Sequence, residues 1–153
     1  MDLTTHEDIE APIEFVFDQI TDFATFERSV MRRGGDVERL EKGDDDGLGA
    51  KWRVKFLMRG VERKIVGEVT QADKPNAMEM TLKSKSADGA LRVDLVALSR
   101  ARTRLNVQFE ATAKSIPAKL LFQSLKFARQ KTQSRFKAAV AGFAEDVEKR
   151  YRT

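Results

Sequence analysis

Through most of this chain apolar and polar residues alternate, and in the last quarter the apolar spacing changes to three and four. The alternation is clearest at 50–58, where Trp52, Val54, Phe56 and Met58 point one way and Lys51, Arg53 and Lys55 the other. Val61, Ile65, Gly67 and Val69 share a face within 61–71, and Met78, Met80 and Leu82 alternate with Glu79, Thr81 and Lys83. Leu91, Val93 and Leu95 follow. Leu105, Val107, Phe109 and Ala111 then alternate with Arg104, Asn106, Gln108 and Glu110. Two further strands are predicted at 36–42 and, more weakly, at 2–10, where Leu3 and Ile9 are the apolar positions. Turn chemistry separates them at 42–47, at Gly60, at 73–76, at Asp88-Gly89 and near 100–102. Strands that are apolar on one side and joined by tight turns predict an antiparallel sheet with a single buried face.

Helices are predicted on either side of this run. Ala11-Pro12 opens one, with proline at the first helical position and Val16, Phe17 and Ile20 as its buried stripe. Asp22 or Thr25 caps a second, which carries Phe23, Phe26 and Val30 inward and closes at Gly34-Gly35. After Pro117, residues Leu121, Leu125, Ala128, Thr132, Phe136, Val140, Phe143 and Val147 form one stripe. That predicts a single helix of about 30 residues, long enough to cover the sheet. The fold class is α+β, and 153 residues without a linker or repeat are expected to form a single domain, 1–153.

Composition narrows the chemistry. There is no Cys, hence no disulfide and no thiolate nucleophile or ligand. The N-terminus lacks the basic and apolar regions of a signal peptide, and no apolar run approaches the ~18 residues of a membrane span, so a soluble, cytoplasmic protein is expected. Charged residues make up 34% of the chain and nearly balance at +4. One stretch departs from the balance: between Glu110 and Glu145 there is no acid, but there are Lys114, Lys119, Lys126, Arg129, Lys131, Arg135 and Lys137. These interleave with the helix stripe and no reader motif accompanies them, which argues against nucleic acid.

No catalytic constellation stands out, and no cofactor is implied. The single His, His6, falls on the polar side of the first strand, and the single Tyr, Tyr151, lies at the C-terminus. Asp44-Asp45-Asp46 lacks the alternating ligands and closing Glu of a calcium loop and is expected to be a polar hairpin tip; no metal site is predicted. Glu7 and Arg63 are more informative, because alternation puts both on the apolar face. A charge there needs a partner, water or a ligand headgroup. Either the two pair with each other or reach solvent at the sheet ends, or they orient a ligand.

The order of strand, two short helices, six strands and a long helix is that of the helix-grip fold, in which a curved antiparallel sheet wraps around a long C-terminal helix. The chain resembles the START-like (SRPBCC) superfamily, and within it the polyketide cyclase/dehydrase and lipid-transport group. The matching segments are Ile9-Glu10-Ala11-Pro12-Ile13-Glu14-Phe15-Val16-Phe17 with Ile20-Thr21-Asp22, Gly47-Leu48-Gly49 before Trp52, Asp73-Lys74-Pro75 after Val69, and Thr103-Arg104-Leu105. The resemblance covers essentially the whole chain, but its motifs mark turns and packing rather than activity.

What the resemblance implies is a pocket between sheet and helix for a hydrophobic small molecule such as a lipid, quinone or polyketide-like compound. Carried onto this pattern, its wall would be Trp52, Val54, Phe56, Met58, Met78, Met80, Leu82, Leu105, Val107, Phe109, Leu121 and Leu125, with Arg63 at a polar headgroup. A cyclase or dehydratase would need an acid or base in that cavity, for which Glu7 is the candidate. A third reading is a protein-interaction or assembly module. The segment 116–127 is apolar on more than one face, with Leu120 and Phe127 off the stripe. The preferred expectation is that it packs under the two short helices and closes the cavity mouth. The alternative is transient contact with an anionic membrane surface or a protein partner.

Overall fold

The computed structural model describes residues 1–153. Strand β1 (Asp2–Ile9) leads into helices α1 (Ile13–Ile20) and α2 (Phe23–Arg32). Six strands follow: β2 (Asp36–Glu41), β3 (Lys51–Met58), β4 (Val61–Asp73), β5 (Ala77–Lys83), β6 (Ala87–Ser99) and β7 (Arg102–Ala113). Helices α3 (Ile116–Phe127) and α4 (Arg129–Arg152) complete the chain. The strands form one curved antiparallel sheet in the order β1-β7-β6-β5-β4-β3-β2. This is the architecture that the alternation pattern and the resemblance imply.

Register places the expected apolar set on one face. Trp52 lies opposite Gly67, Val54 opposite Ile65, and Phe56 opposite Arg63. Met80 faces Leu91, Leu91 faces Phe109, and Leu105 faces Glu7. Asp22 caps α2 through the backbone N–H of Thr25. The buried Thr103 hydroxyl donates to the Ala11 carbonyl at 2.8 Å and ties β7 to the entry of α1.

Two predicted elements come out differently. Asp88-Gly89 does not turn the chain; it lies inside β6, where Asp88 pairs with Lys83 and Gly89 with Leu82. The turn is made earlier by Ser84-Lys85-Ser86, whose Ser84 hydroxyl both donates to the Ala87 carbonyl and accepts from the Ala87 N–H. Glycine serves another purpose at 89: a Cβ there would sit 3.2 Å from the Glu110 carbonyl oxygen.

The predicted single C-terminal helix is two. Ala128 leaves helical geometry (φ −102°, ψ 32°), although neither Gly nor Pro is near. The Thr132 hydroxyl donates to the Ala128 carbonyl at 3.1 Å, a back-bond of the kind that bends helices. Residues 127–131 are all exposed, so no packing holds the axis straight across the break.

The fully buried side chains are concentrated at one end of the concave face. Ile9, Val16, Phe17, Trp52, Val69, Thr103, Leu105 and Val147 lie there, between the sheet, α1 and the C-terminal half of α4. The helix α3 crosses the opposite end. It therefore does not pack under α1 and α2, and Ile116, Leu120 and Phe127 are 74%, 62% and 96% exposed.

Candidate functional site

Because strands run antiparallel, the packed end takes the start of β3 and the end of β4, and leaves the β3–β4 hairpin at the other end. That hairpin is a two-residue turn in which Arg59 (φ 54°) and Gly60 (φ 77°) both take left-handed geometry. Between it, the Ser84–Ala87 turn and the first turns of α3 lies a cavity of about 690 Å³, partly open to solvent. Small-molecule pockets commonly measure about 300–1,000 Å³.

Phe56, Met58, Ile65, Ala87, Pro117, Ala118, Leu121 and Phe122 give this cavity its apolar surface. Arg59, Glu62, Arg63, Lys64, Ser84, Lys85 and Ser86 complete the lining. Arg63 lies directly across from Phe56, on the concave face, at a level of β4 beyond the last residue of β5. Its Nε is buried and has no hydrogen-bond partner.

Of the residues expected to line a pocket, the structure brings Phe56, Met58, Arg63 and Leu121 to this cavity. Trp52, Met78, Leu105 and Val107 are in the packed core instead, with Val54 and Met80 against it. Leu82, Phe109 and Leu125 also lie off the cavity wall. Trp52 is fully buried under Phe23, with ring centroids 4.7 Å apart, and under the guanidinium of Arg39, 5.3 Å from its own ring. Arg39 is held there by Glu27 at 2.7 Å, an inward ion pair that alternation alone did not single out. The turn 84–87 and the neighbours of Leu121 on α3, Pro117, Ala118 and Phe122, were missed as cavity wall, since only the placement of α3 makes them neighbours of Phe56.

Glu7 does face the concave side, where the Lys137 ammonium of α4 is 3.9 Å away. It is on the edge strand, four inter-strand steps from Arg63, or roughly 19 Å at about 4.8 Å per step. The two charges therefore do not pair. His6 is exposed on the convex face, beside a shallow, mostly polar depression of about 280 Å³ with Asp94 and Asn106. Asp46 accepts from the Leu48 N–H within the loop between β2 and β3, and no group of three His, Cys, Asp or Glu is gathered anywhere to hold a metal.

Asp8, Arg92 and Arg104 titrate away from their ordinary ranges, and all three belong to convex-face ion pairs. The hydrogen bond from Arg104, 2.8 Å long, chiefly holds the Asp8 carboxyl below the usual carboxylate range. The same bond raises Arg104, and the bond to Asp94 raises Arg92. No helix is long and apolar enough to cross a membrane.

Comparison with known proteins agrees with this architecture. The family model described as polyketide cyclase / dehydrase and lipid transport matches residues 1–148. A Streptomyces structure, the Zhui aromatase/cyclase, superposes with TM-score 0.70 at 12% identity, covering 100% of this chain and 96% of that one. A protein from Thermus thermophilus gives TM-score 0.69 at 14% identity, over 96% of this chain and 97% of the other. A START superfamily protein from Mycobacterium smegmatis gives 0.58 at 15% identity, over 88% and 95%. A search of curated proteins finds no match. At these identities the solved structures establish the fold.

Proposed function

Since the chain belongs to the polyketide cyclase/dehydrase and lipid transport family, we propose that it binds or carries a hydrophobic small molecule in the cavity beneath α3. The observation that carries this reading is the pairing of volume with lining: about 690 Å³ walled by Phe56, Met58, Ile65, Leu121 and Phe122. Water gains little from such a surface, whereas an apolar guest removes it from water at roughly 25 cal/mol per Å². Met58 suits an adaptable wall, because its flexible thioether can follow irregular shapes.

Native mass spectrometry of gently purified protein tests the proposal. The expected spectrum contains a one-to-one complex with an apolar compound, or forms one on addition of lipid extract. Leu121→Trp, which narrows the cavity at α3, should weaken the complex while the fold remains. An empty protein that takes up no apolar compound contradicts the proposal.

Transient contact with an anionic membrane surface belongs to the same reading. Leu57, Ile116, Leu120 and Phe127 stand exposed on the two elements that flank the cavity, with Lys119 and Lys126 beside them on α3. Each Lys or Arg near an anionic surface contributes about 1 kcal/mol, and the exposed apolar side chains add burial at the interface. The protein should co-sediment with phosphatidylserine-containing vesicles at low salt and be released as salt rises. Replacing Leu120 and Phe127 by Ser should reduce retention severalfold, and equal retention of the variant would contradict this role for the surface.

A further inference from the structure

Arg63 is in a position that apolar packing alone does not explain. It stands on the concave face among Phe56, Ile65 and Leu121, yet a guanidinium is always charged and carries five N–H donors. Its Nε is buried without a partner. Buried polar groups are nearly always hydrogen-bonded, so an orphan on a cavity wall points to a partner outside the chain.

The surroundings supply no such partner. Arg59, Arg63 and Lys85 line the cavity, and none of them takes part in any ion pair of the structure; Lys64, like Glu62, is turned by alternation to the face opposite Arg63. Glu62 is the one carboxylate of the lining, and alternation along β4 turns its side chain to the face opposite Arg63. Nearby acids are engaged elsewhere: Glu68 with Lys51, Asp88 with Lys114 and Glu79 with Arg92. The lining therefore combines apolar walls with an uncompensated positive charge.

We propose that the cavity selects an amphiphile with an anionic head, a carboxylate or phosphate, which seats on Arg63 while the apolar tail lies against Phe56, Leu121 and Phe122. The inference rests on the reading of the cavity as a ligand site and specifies its substrate class. The planar guanidinium fork matches both heads and can bond either one through two parallel N–H groups. Lys85, in the adjoining turn, adds charge without that geometry.

Isothermal titration with laurate, dodecyl phosphate, dodecanol, dodecyltrimethylammonium and inorganic phosphate tests this, each amphiphile kept below its micelle concentration. The two anionic amphiphiles should bind at least about tenfold tighter than dodecanol, the order of one charge-assisted hydrogen bond. Dodecyltrimethylammonium should bind weakest. Inorganic phosphate alone should not bind; affinity equal to that of dodecyl phosphate would mean a free-anion site and overturn the proposal. Arg63→Gln should bring laurate to within about twofold of dodecanol, and Arg63→Lys should keep part of the preference. Circular dichroism melting of each variant controls for folding, and Lys85→Gln, in an exposed turn, provides a second, milder loss of preference. Equal binding of laurate and dodecanol by the parent protein would overturn the anionic head while leaving the cavity reading intact. Binding of none of the amphiphiles would overturn both.

Discussion

At the level of single residues, the convex face and the hairpin tip each give a measurable consequence. Asp8 has a folded-state pKa below its unfolded value because of Arg104. Its contribution to stability is therefore complete above the unfolded carboxylate range and is lost as pH falls through the folded value. Asp8→Asn should flatten the acid limb of a stability-versus-pH curve. A limb unchanged in slope would remove Asp8 from that account. Arg59 is held at φ 54°, a geometry that costs a non-glycine residue about 1–2 kcal/mol. Arg59→Gly should raise the unfolding free energy in urea by up to about 1 kcal/mol, after the added chain entropy of glycine is subtracted. A loss of stability instead would mean that the Arg59 side chain contributes more than its backbone costs. Arg63 was legible as an inward charge from alternation alone. Its orphaned Nε was not, because that depends on which strands stop short beside it.

Between elements, the misread turn is instructive. Asp-Gly between two apolar runs is a strong hairpin signal, but here the glycine answers a different demand, close approach to β7 across the sheet. Gly89→Ala should destabilise the fold by about 1–3 kcal/mol, the usual effect of crowding a packed position. A thermal melt with no loss would show that β7 yields easily. The seven strands, α1 and α2 were readable because period-two alternation and capping residues are local signals. The break at Ala128 was not, since the apolar stripe runs on through it without Gly or Pro. Only the back-bonded Thr132 and the lack of packing at 127–131 distinguish the site.

For the molecule as a whole, the decisive feature is the unequal filling of the concave face. The inner-face pattern in the sequence is mostly apolar from Trp52 to Phe109, interrupted by the glycines and Arg63, and does not by itself say which end is filled. Packing of α1 and the end of α4 fills one end, and α3 bridges the other without filling it. Truncation should therefore cost different amounts at the two ends. Leu105→Ala, at a fully buried position, should lose about 2–5 kcal/mol, whereas Phe122→Ala, on the cavity wall, should lose clearly less. Equal losses in urea denaturation would indicate that both ends are packed alike.

Methyl-resolved NMR during titration with laurate tests the central claim most directly. The account predicts shifts at Met58, Ile65 and Leu121, with Val69, Leu95, Leu105 and Val147 unmoved. Shifts confined to that second group, or none at saturating laurate, would contradict it.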